Sequence, residues 1–172
     1  ARQPGAHGYQ AYKGIPELRK AIASFMSETY GTSLNHETEI LPLMGSKEGI
    51  THISMAFLNK GDKVLIPDPG YPTYSSVTRL CEAKPVYYSL KEKNHWLPDL
   101  EKISRSKLKG VKLMWINYPH MPTGAEASDE GFRQLIAFAK KHKILLCHDN
   151  PYSMVLNAHP PKSILNYPGA ME

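Results

Sequence analysis

Short, continuously apolar runs alternate with longer amphipathic stretches along most of this chain, and that alternation most restricts its possible folds. Four of the runs have the length and composition of buried strands: residues 63–67, 85–90, 111–116 and 144–147. A further short run at residues 40–44 is also predicted as a strand. Strands that alternate with helices are typical of a parallel sheet with helices packed on its faces. We therefore predict an α/β fold, a three-layer αβα sandwich with a mainly parallel sheet.

The predicted helices are marked by local start and stop signals. Pro16 and Glu17 open a stretch whose apolar residues recur at helical spacing until Gly31 ends it. Further helices are predicted after a glycine-rich segment, after a proline-rich loop and in a polar connection: residues 50–58, 74–81 and 100–103. Ser128 is a predicted N-cap, and its helix runs to about His142.

Composition excludes several classes of protein. The 172 residues are 41% hydrophobic, and no apolar run reaches the roughly 18 residues of a membrane span. The net charge of +5 is spread out rather than interleaved with exposed aromatics, so we expect no nucleic-acid partner. Cys81 and Cys147 lie in apolar surroundings, where packing is favoured over pairing, which suits the cytoplasm.

A metal site and a cysteine nucleophile are also disfavoured. No two histidines have the HxxxH spacing, and His148 and Asp149 are neighbours on a predicted strand, so their side chains face opposite ways. Cys147 lies inside an apolar strand, where a thiol is inert. We therefore expect no metal ion and no thiol chemistry.

Polar segments that can carry chemistry follow the predicted strands directly. Residues 45–49 place Ser46 and Lys47 at a helix start, which suits an anion, although an ordinary capped helix is the alternative. Residues 68–72 hold Tyr71 in a loop stiffened by prolines, where it can stack on a planar ligand or simply pack. Residues 117–124 form a third constrained loop, or a plain connection.

Asp149 follows the last predicted strand, at the sheet edge where open α/β folds bind their ligands. A carboxylate beside an aromatic ring nitrogen keeps that nitrogen protonated, which supports the electron-sink chemistry of pyridoxal phosphate. Tyr152 is close enough in sequence to donate its phenol to an oxygen of the same ring. The residues together indicate a site for a phosphorylated pyridine.

These residues resemble a known family, the fold-type-I, pyridoxal-phosphate-dependent aminotransferases of classes I and II, and most closely their aspartate and LL-diaminopimelate aminotransferase-like branch. The similarity covers nearly the whole chain. It is carried by motifs in a fixed order: His7-Gly8-Tyr9, Gly14-Ile15-Pro16-Glu17-Leu18-Arg19, Gly45-Ser46-Lys47-Glu48-Gly49, Pro67-Asp68-Pro69-Gly70-Tyr71-Pro72, Pro122-Thr123-Gly124, and Asp149 with Tyr152.

The resemblance implies a role for each candidate cofactor-binding residue. Ser46 and Lys47 would hold the phosphate of pyridoxal 5′-phosphate, and Tyr71 would stack on its ring. Asp149 would pair with the pyridine nitrogen, and Tyr152 would contact the 3-oxygen.

The resemblance also implies a homodimer and an activity. Tyr9 would reach the cofactor phosphate of the neighbouring subunit. The parent enzyme would move an amino group between an amino acid and a 2-oxo acid, in amino-acid metabolism. Residues 1–172 would form most of the large cofactor-binding domain, without the C-terminal small domain.

The chain departs from the family pattern at two places. Met121 stands where the family has an Asn whose amide orients the ring, and the neighbouring His120 is a possible substitute donor. The family's Schiff-base lysine follows the Tyr152 position at a distance that this sequence does not reach. Lys162 lies in a predicted surface loop and is not expected to replace it.

The missing lysine leaves two hypotheses. The first is an excerpt of a longer aminotransferase that is inactive alone, which the absence of an initial Met also suggests. The second is a naturally truncated, non-catalytic module used for binding or assembly.

Overall fold

The structure is a computed structural model that describes residues 4–5, 7–105, 108–155 and 159–172. It contains two compact units, Ala1–Met44 and Gly45–Glu172. The first unit holds helix α1, Pro16–Tyr30, which ends at Gly31 with a left-handed φ of 69°. In that unit the buried Arg19 side chain donates to the carbonyl oxygens of Gly14 and His36, at 3.0 Å each. Arg19 therefore ties the segment before α1 to the segment after it.

The strand predicted at residues 40–44 is wrong. These residues have no strand geometry, and Leu41, Leu43 and Met44 are exposed. A strand exists only through hydrogen bonds to a neighbouring strand. The apolar run predicted burial, but no pairing strand for it exists in the part of the chain that the structure describes.

The second unit is built on a parallel sheet. Its strands are β1 (Lys63–Asp68), β2 (Lys84–Ser89), β3 (Val111–Asn117) and β4 (Leu145–Asp149), in the order β2-β1-β3-β4. All three pairings are parallel. Its helices are α2 (Ser46–Phe57), α3 (Pro72–Leu80), α4 (Leu100–Ser104) and α5 (Asp129–His142). The predicted α/β class is confirmed.

Side chains alternate across the sheet and bury both of its faces. On β1, Val64 and Ile66 pack with α2 and α3, while Leu65 packs with α4 and α5. The central strand β3 repeats the pattern, with Trp115 on the first face and Met114 on the second. Each fully buried aliphatic side chain contributes roughly 1.5–3 kcal/mol. These two cores produce the three predicted layers.

Local signals fix the ends of the elements near the polar loops. The Ser128 hydroxyl accepts the Gly131 N–H at 3.0 Å, which confirms the predicted N-cap of α5. Strand β4 continues to Asp149, two residues beyond the apolar run that predicted it. Of the helices that the structure describes, none has the length and apolar character needed to cross a membrane.

Candidate functional site

The loops after β1, β3 and β4, together with the start of α2, line an open cavity of about 130 Å³. Its lining includes four of the residues that the sequence indicated, namely Ser46, Tyr71, Asp149 and Tyr152. Asn117, Met121 and Pro151 complete the lining. Parallel strands all end at the same edge of the sheet, so side chains distant in sequence meet there.

Asp149 is the anionic group of this cavity. Its Oδ2 accepts a hydrogen bond from the Tyr74 phenol at 2.7 Å. Tyr74 is completely buried, and its ring stacks on Trp115 with 5.1 Å between centroids and 5° between planes. Burial raises the pKa of the Asp149 carboxyl, and the hydrogen bond from Tyr74 partly opposes that rise.

Asn117 fixes the backbone of two segments that line the cavity. Its Nδ2 donates to the Asp149 carbonyl oxygen at 2.8 Å, and its Oδ1 accepts the Met121 N–H at 2.8 Å. The side chain is only 2% exposed. Because both contacts are buried, breaking either would leave an unsatisfied polar group, so the end of β4 and the loop after β3 are held together.

The start of α2 forms one wall of the cavity. Gly45 precedes it with φ 108°, a conformation that L side chains rarely adopt, and open space surrounds the position where a Cβ would lie. Conformation rather than crowding therefore favours glycine here. Ser46 is the first helical residue and is exposed. The first N–H groups of a helix lack intrahelical partners and attract anions.

Tyr71 also lines the cavity and lies immediately before α3, with its ring edge-to-face against Tyr74 at 5.7 Å between centroids. Hydrogen bonding to Thr73, and then the Lys47 side chain, lower the pKa of the Tyr71 phenol. Lys47 therefore influences a residue of the cavity lining, although Lys47 does not line the cavity itself. Glycine is required at position 70, next to Tyr71, because a Cβ there would lie 2.5 Å from the Pro67 carbonyl oxygen.

His120 is not placed to act as the substitute donor for the missing amide. Its Nε2 lies 3.1 Å from the Pro69 carbonyl oxygen and its Nδ1 lies 2.8 Å from the Thr123 hydroxyl. Both ring nitrogens therefore have hydrogen-bond partners. The ring is only 2% exposed, and it does not line the cavity. His120 instead joins the loop after β1 to the loop after β3. The Met121 thioether leaves that part of the wall apolar.

Lys162 and Tyr9 lie outside the cavity lining. The Lys162 ammonium forms an ion pair with Asp129 at 2.7 Å, as expected for a surface residue. Tyr9 is fully exposed in the first unit, so its role toward a neighbouring subunit stays a prediction.

His148 and Asp149 face opposite sides of the sheet, as predicted. The His148 Nε2–H donates to the Tyr118 carbonyl oxygen at 2.8 Å, and the ring packs on Phe132 of α5. Burial lowers the pKa of His148 to about 4. The ring therefore stays neutral and serves the core rather than the cavity.

Sequence reasoning assigned no individual role to Tyr74 or Asn117, although Asn117 opens the third predicted loop. Asn117 had a usable signal, since it is a polar residue that ends a continuously apolar strand. Tyr74 follows Tyr71 by one helical turn, but nothing in the sequence indicates that it reaches Asp149 across 75 positions.

Comparisons with a family profile and with curated proteins identify the same family. The profile described as aminotransferase class I and II matches residues 1–170. LL-diaminopimelate aminotransferases from Dehalococcoides mccartyi and Aquifex aeolicus are 43% and 41% identical, over 100% and 98% of this chain. The chain spans 45% and 44% of those proteins, less than half of their length.

Solved structures agree in fold. Substrate-bound BacF from Bacillus subtilis superposes with a TM-score of 0.95 at 40% identity, covering 98% of this chain and 43% of that one. Aspartate aminotransferase from Thermus thermophilus with maleate gives 0.84 at 28% identity, covering 91% and 41%.

Proposed function

Because the chain belongs to the class I and II aminotransferase family, we propose that it forms most of the large, cofactor-binding domain of a pyridoxal-phosphate-dependent aminotransferase. The whole enzyme would transfer an amino group between an amino acid and a 2-oxo acid in amino-acid biosynthesis. The chain spans less than half the length of its curated relatives. We therefore expect the base that moves protons at the substrate to be a lysine outside these residues.

The observation that carries the proposal is the fixed carboxylate of Asp149 in the cavity. The residues present fit pyridoxal 5′-phosphate, because they combine an anion for a ring nitrogen, a helix start for a phosphate and a tyrosine for a ring face. When bound, the cofactor supplies an electron-withdrawing ring. Asp149 would hold a proton at the ring nitrogen.

The remaining candidates have binding and orienting roles. Ser46 would donate its hydroxyl and N–H to the phosphate, and Lys47 would add a positive charge. Tyr71 would cover the ring and exclude water from its face. Tyr152, which also lines the cavity, would donate its phenol to the ring's 3-oxygen. Met121 contributes no donor there, so Tyr152 would carry more of that contact than in relatives that have an amide.

Assembly, location and substrate complete the proposal. We propose a cytoplasmic homodimer in which Tyr9 reaches the phosphate of the neighbouring subunit. The relatives named LL-diaminopimelate aminotransferase make LL-diaminopimelate the first amino acid to test in the whole enzyme. An aspartate aminotransferase among the structural neighbours makes aspartate the second.

Calorimetry with pyridoxamine 5′-phosphate tests the cofactor site in the 172-residue chain. This probe carries an amine instead of an aldehyde, so it cannot react with surface lysines. We expect one saturable site per chain, with binding at least about tenfold tighter than that of pyridoxamine because the phosphate has charge-assisted contacts. The absence of saturable binding, or equal binding of both compounds, would contradict the proposal.

A further inference from the structure

We propose that Tyr74 is a positioning residue, which holds one oxygen of the Asp149 carboxylate and leaves the other to a ligand in the cavity. The contact itself does not depend on the proposed function, whereas its consequence for a pyridine ring rests on it. Tyr74 does not line the cavity, so it acts only through Asp149.

The Tyr74 ring is fixed before it reaches Asp149. It is 0% exposed, lies parallel to Trp115 of β3 and meets the edge of Tyr71. Close packing on these sides leaves the phenol a single position. Since the hydroxyl oxygen lies 2.7 Å from Asp149 Oδ2, a fixed ring also fixes the carboxylate.

The direction of the hydrogen bond is set by chemistry. Burial, and then the nearby Asp149 charge, raise the pKa of Tyr74 well above the value of an exposed phenol. The phenol therefore keeps its proton at every physiological pH and donates it to the carboxylate. Among the described residues no other side chain donates to Asp149, which leaves Oδ1 available to an N–H of a ligand.

This hydrogen bond also opposes the effect of burial on Asp149. Burial favours the neutral acid, whereas a donated hydrogen bond favours the carboxylate. A neutral carboxylic acid would give a protonated ring nitrogen no negative charge to pair with. Tyr74 thus helps to preserve the charge that the site requires.

A merely structural tyrosine offers a matched comparison in the same unit. Tyr88 is also buried, at 5% exposure, and its hydroxyl donates to the Trp115 carbonyl oxygen at 2.6 Å. Replacing Tyr88 by Phe removes one buried hydroxyl and one hydrogen bond, as Tyr74→Phe does. Only Tyr74→Phe removes a donor from a carboxylate.

Carbon-13 NMR of the Asp149 carboxyl in the ligand-free chain tests the positioning role. We expect the titration midpoint of Asp149 to rise in Tyr74→Phe and to stay unchanged in Tyr88→Phe. The affinity for pyridoxamine 5′-phosphate should fall about tenfold in Tyr74→Phe and stay within about twofold in Tyr88→Phe. Equal Asp149 midpoints in wild type and Tyr74→Phe would overturn the proposal.

A second measurement needs no variant, and so holds even if Tyr74→Phe does not fold. The Cζ resonance of Tyr74 in the wild-type chain should shift with the same midpoint as the Asp149 carboxyl. A Tyr74 resonance that is insensitive to Asp149 titration would overturn the proposal. Coupled titration without any pyridoxamine 5′-phosphate binding would support the positioning role and contradict the proposed function, so the two failures are distinguishable.

Discussion

The residues in and behind the cavity form two groups that differ in how they are held. The first group, called the floor, contains Asn117 and Asp149, which line the cavity, and Tyr74 and Trp115, which do not. Of these four residues, Tyr74, Trp115 and Asn117 are at most 3% exposed. The rim consists of Ser46, Lys47, Tyr71 and Tyr152, of which Ser46, Lys47 and Tyr152 are exposed. The floor is therefore set by the fold itself, whereas most of the rim is exposed and accessible to a ligand. Floor substitutions should affect folding and binding together, and rim substitutions should affect binding with much smaller effects on folding.

Two tyrosines one helical turn apart give the sharpest contrast. Tyr74→Ala should lower the free energy of unfolding by about 3–5 kcal/mol, because it empties a fully buried ring site. Tyr71→Ala should lower it by about 1 kcal/mol, since that ring is only half-buried. Urea denaturation measures both. Equal losses in the two variants would remove the distinction between floor and rim.

Asp149 should dominate binding. We expect Asp149→Asn to weaken pyridoxamine 5′-phosphate binding by about 100-fold, because a desolvated charge pair with the ring nitrogen is lost. Asp68→Asn is the matched control, since Asp68 ends β1 as Asp149 ends β4 but is exposed and does not line the cavity. Calorimetry should detect a change within about twofold for that control. Equal effects of the two variants would assign Asp149 no special role.

Lys47 should act through charge at the rim. Lys47→Gln should reduce the affinity about three- to tenfold and should weaken its dependence on ionic strength. It should also raise the pKa of the Tyr71 phenol, because Lys47 helps to lower it. An ultraviolet pH titration follows this change. The control is Lys112→Gln, which replaces an exposed lysine on β3 and should change neither the affinity nor the pKa of Tyr71. An unchanged Tyr71 titration in Lys47→Gln would contradict the contact between Lys47 and Tyr71.

His120 should have the smallest effect, seen in the pH dependence of stability. Burial lowers the pKa of His120, so below about pH 6.5 the unfolded chain binds a proton that the folded chain does not. Its stabilising contribution is therefore present above that pH and is lost as the pH falls. His120→Asn should flatten this part of the profile. Identical profiles for the wild type and His120→Asn would exclude the effect.

The rim and Asp149 could be predicted from sequence because local signals mark them. Ser46 follows a glycine at a helix start, and Asp149 ends an apolar strand. The hydrogen bonds of Tyr74 and Asn117 could not be predicted, because they depend on β3 lying beside β4 and on α3 covering that face. The wrong strand at residues 40–44 has the same cause, since pairing is a tertiary property that an apolar run does not encode.

The most direct test of the central claim is an amide NMR titration of the wild-type chain with pyridoxamine 5′-phosphate. The competing location is a second cavity of about 230 Å³ lined by Lys91, Lys93 and Lys102, where a phosphate could bind by charge alone. We predict saturable shifts concentrated at Ser46, Asn117 and Asp149. Shifts confined to the lysine-lined cavity, or no saturable shifts, would contradict a cofactor site built around Asp149.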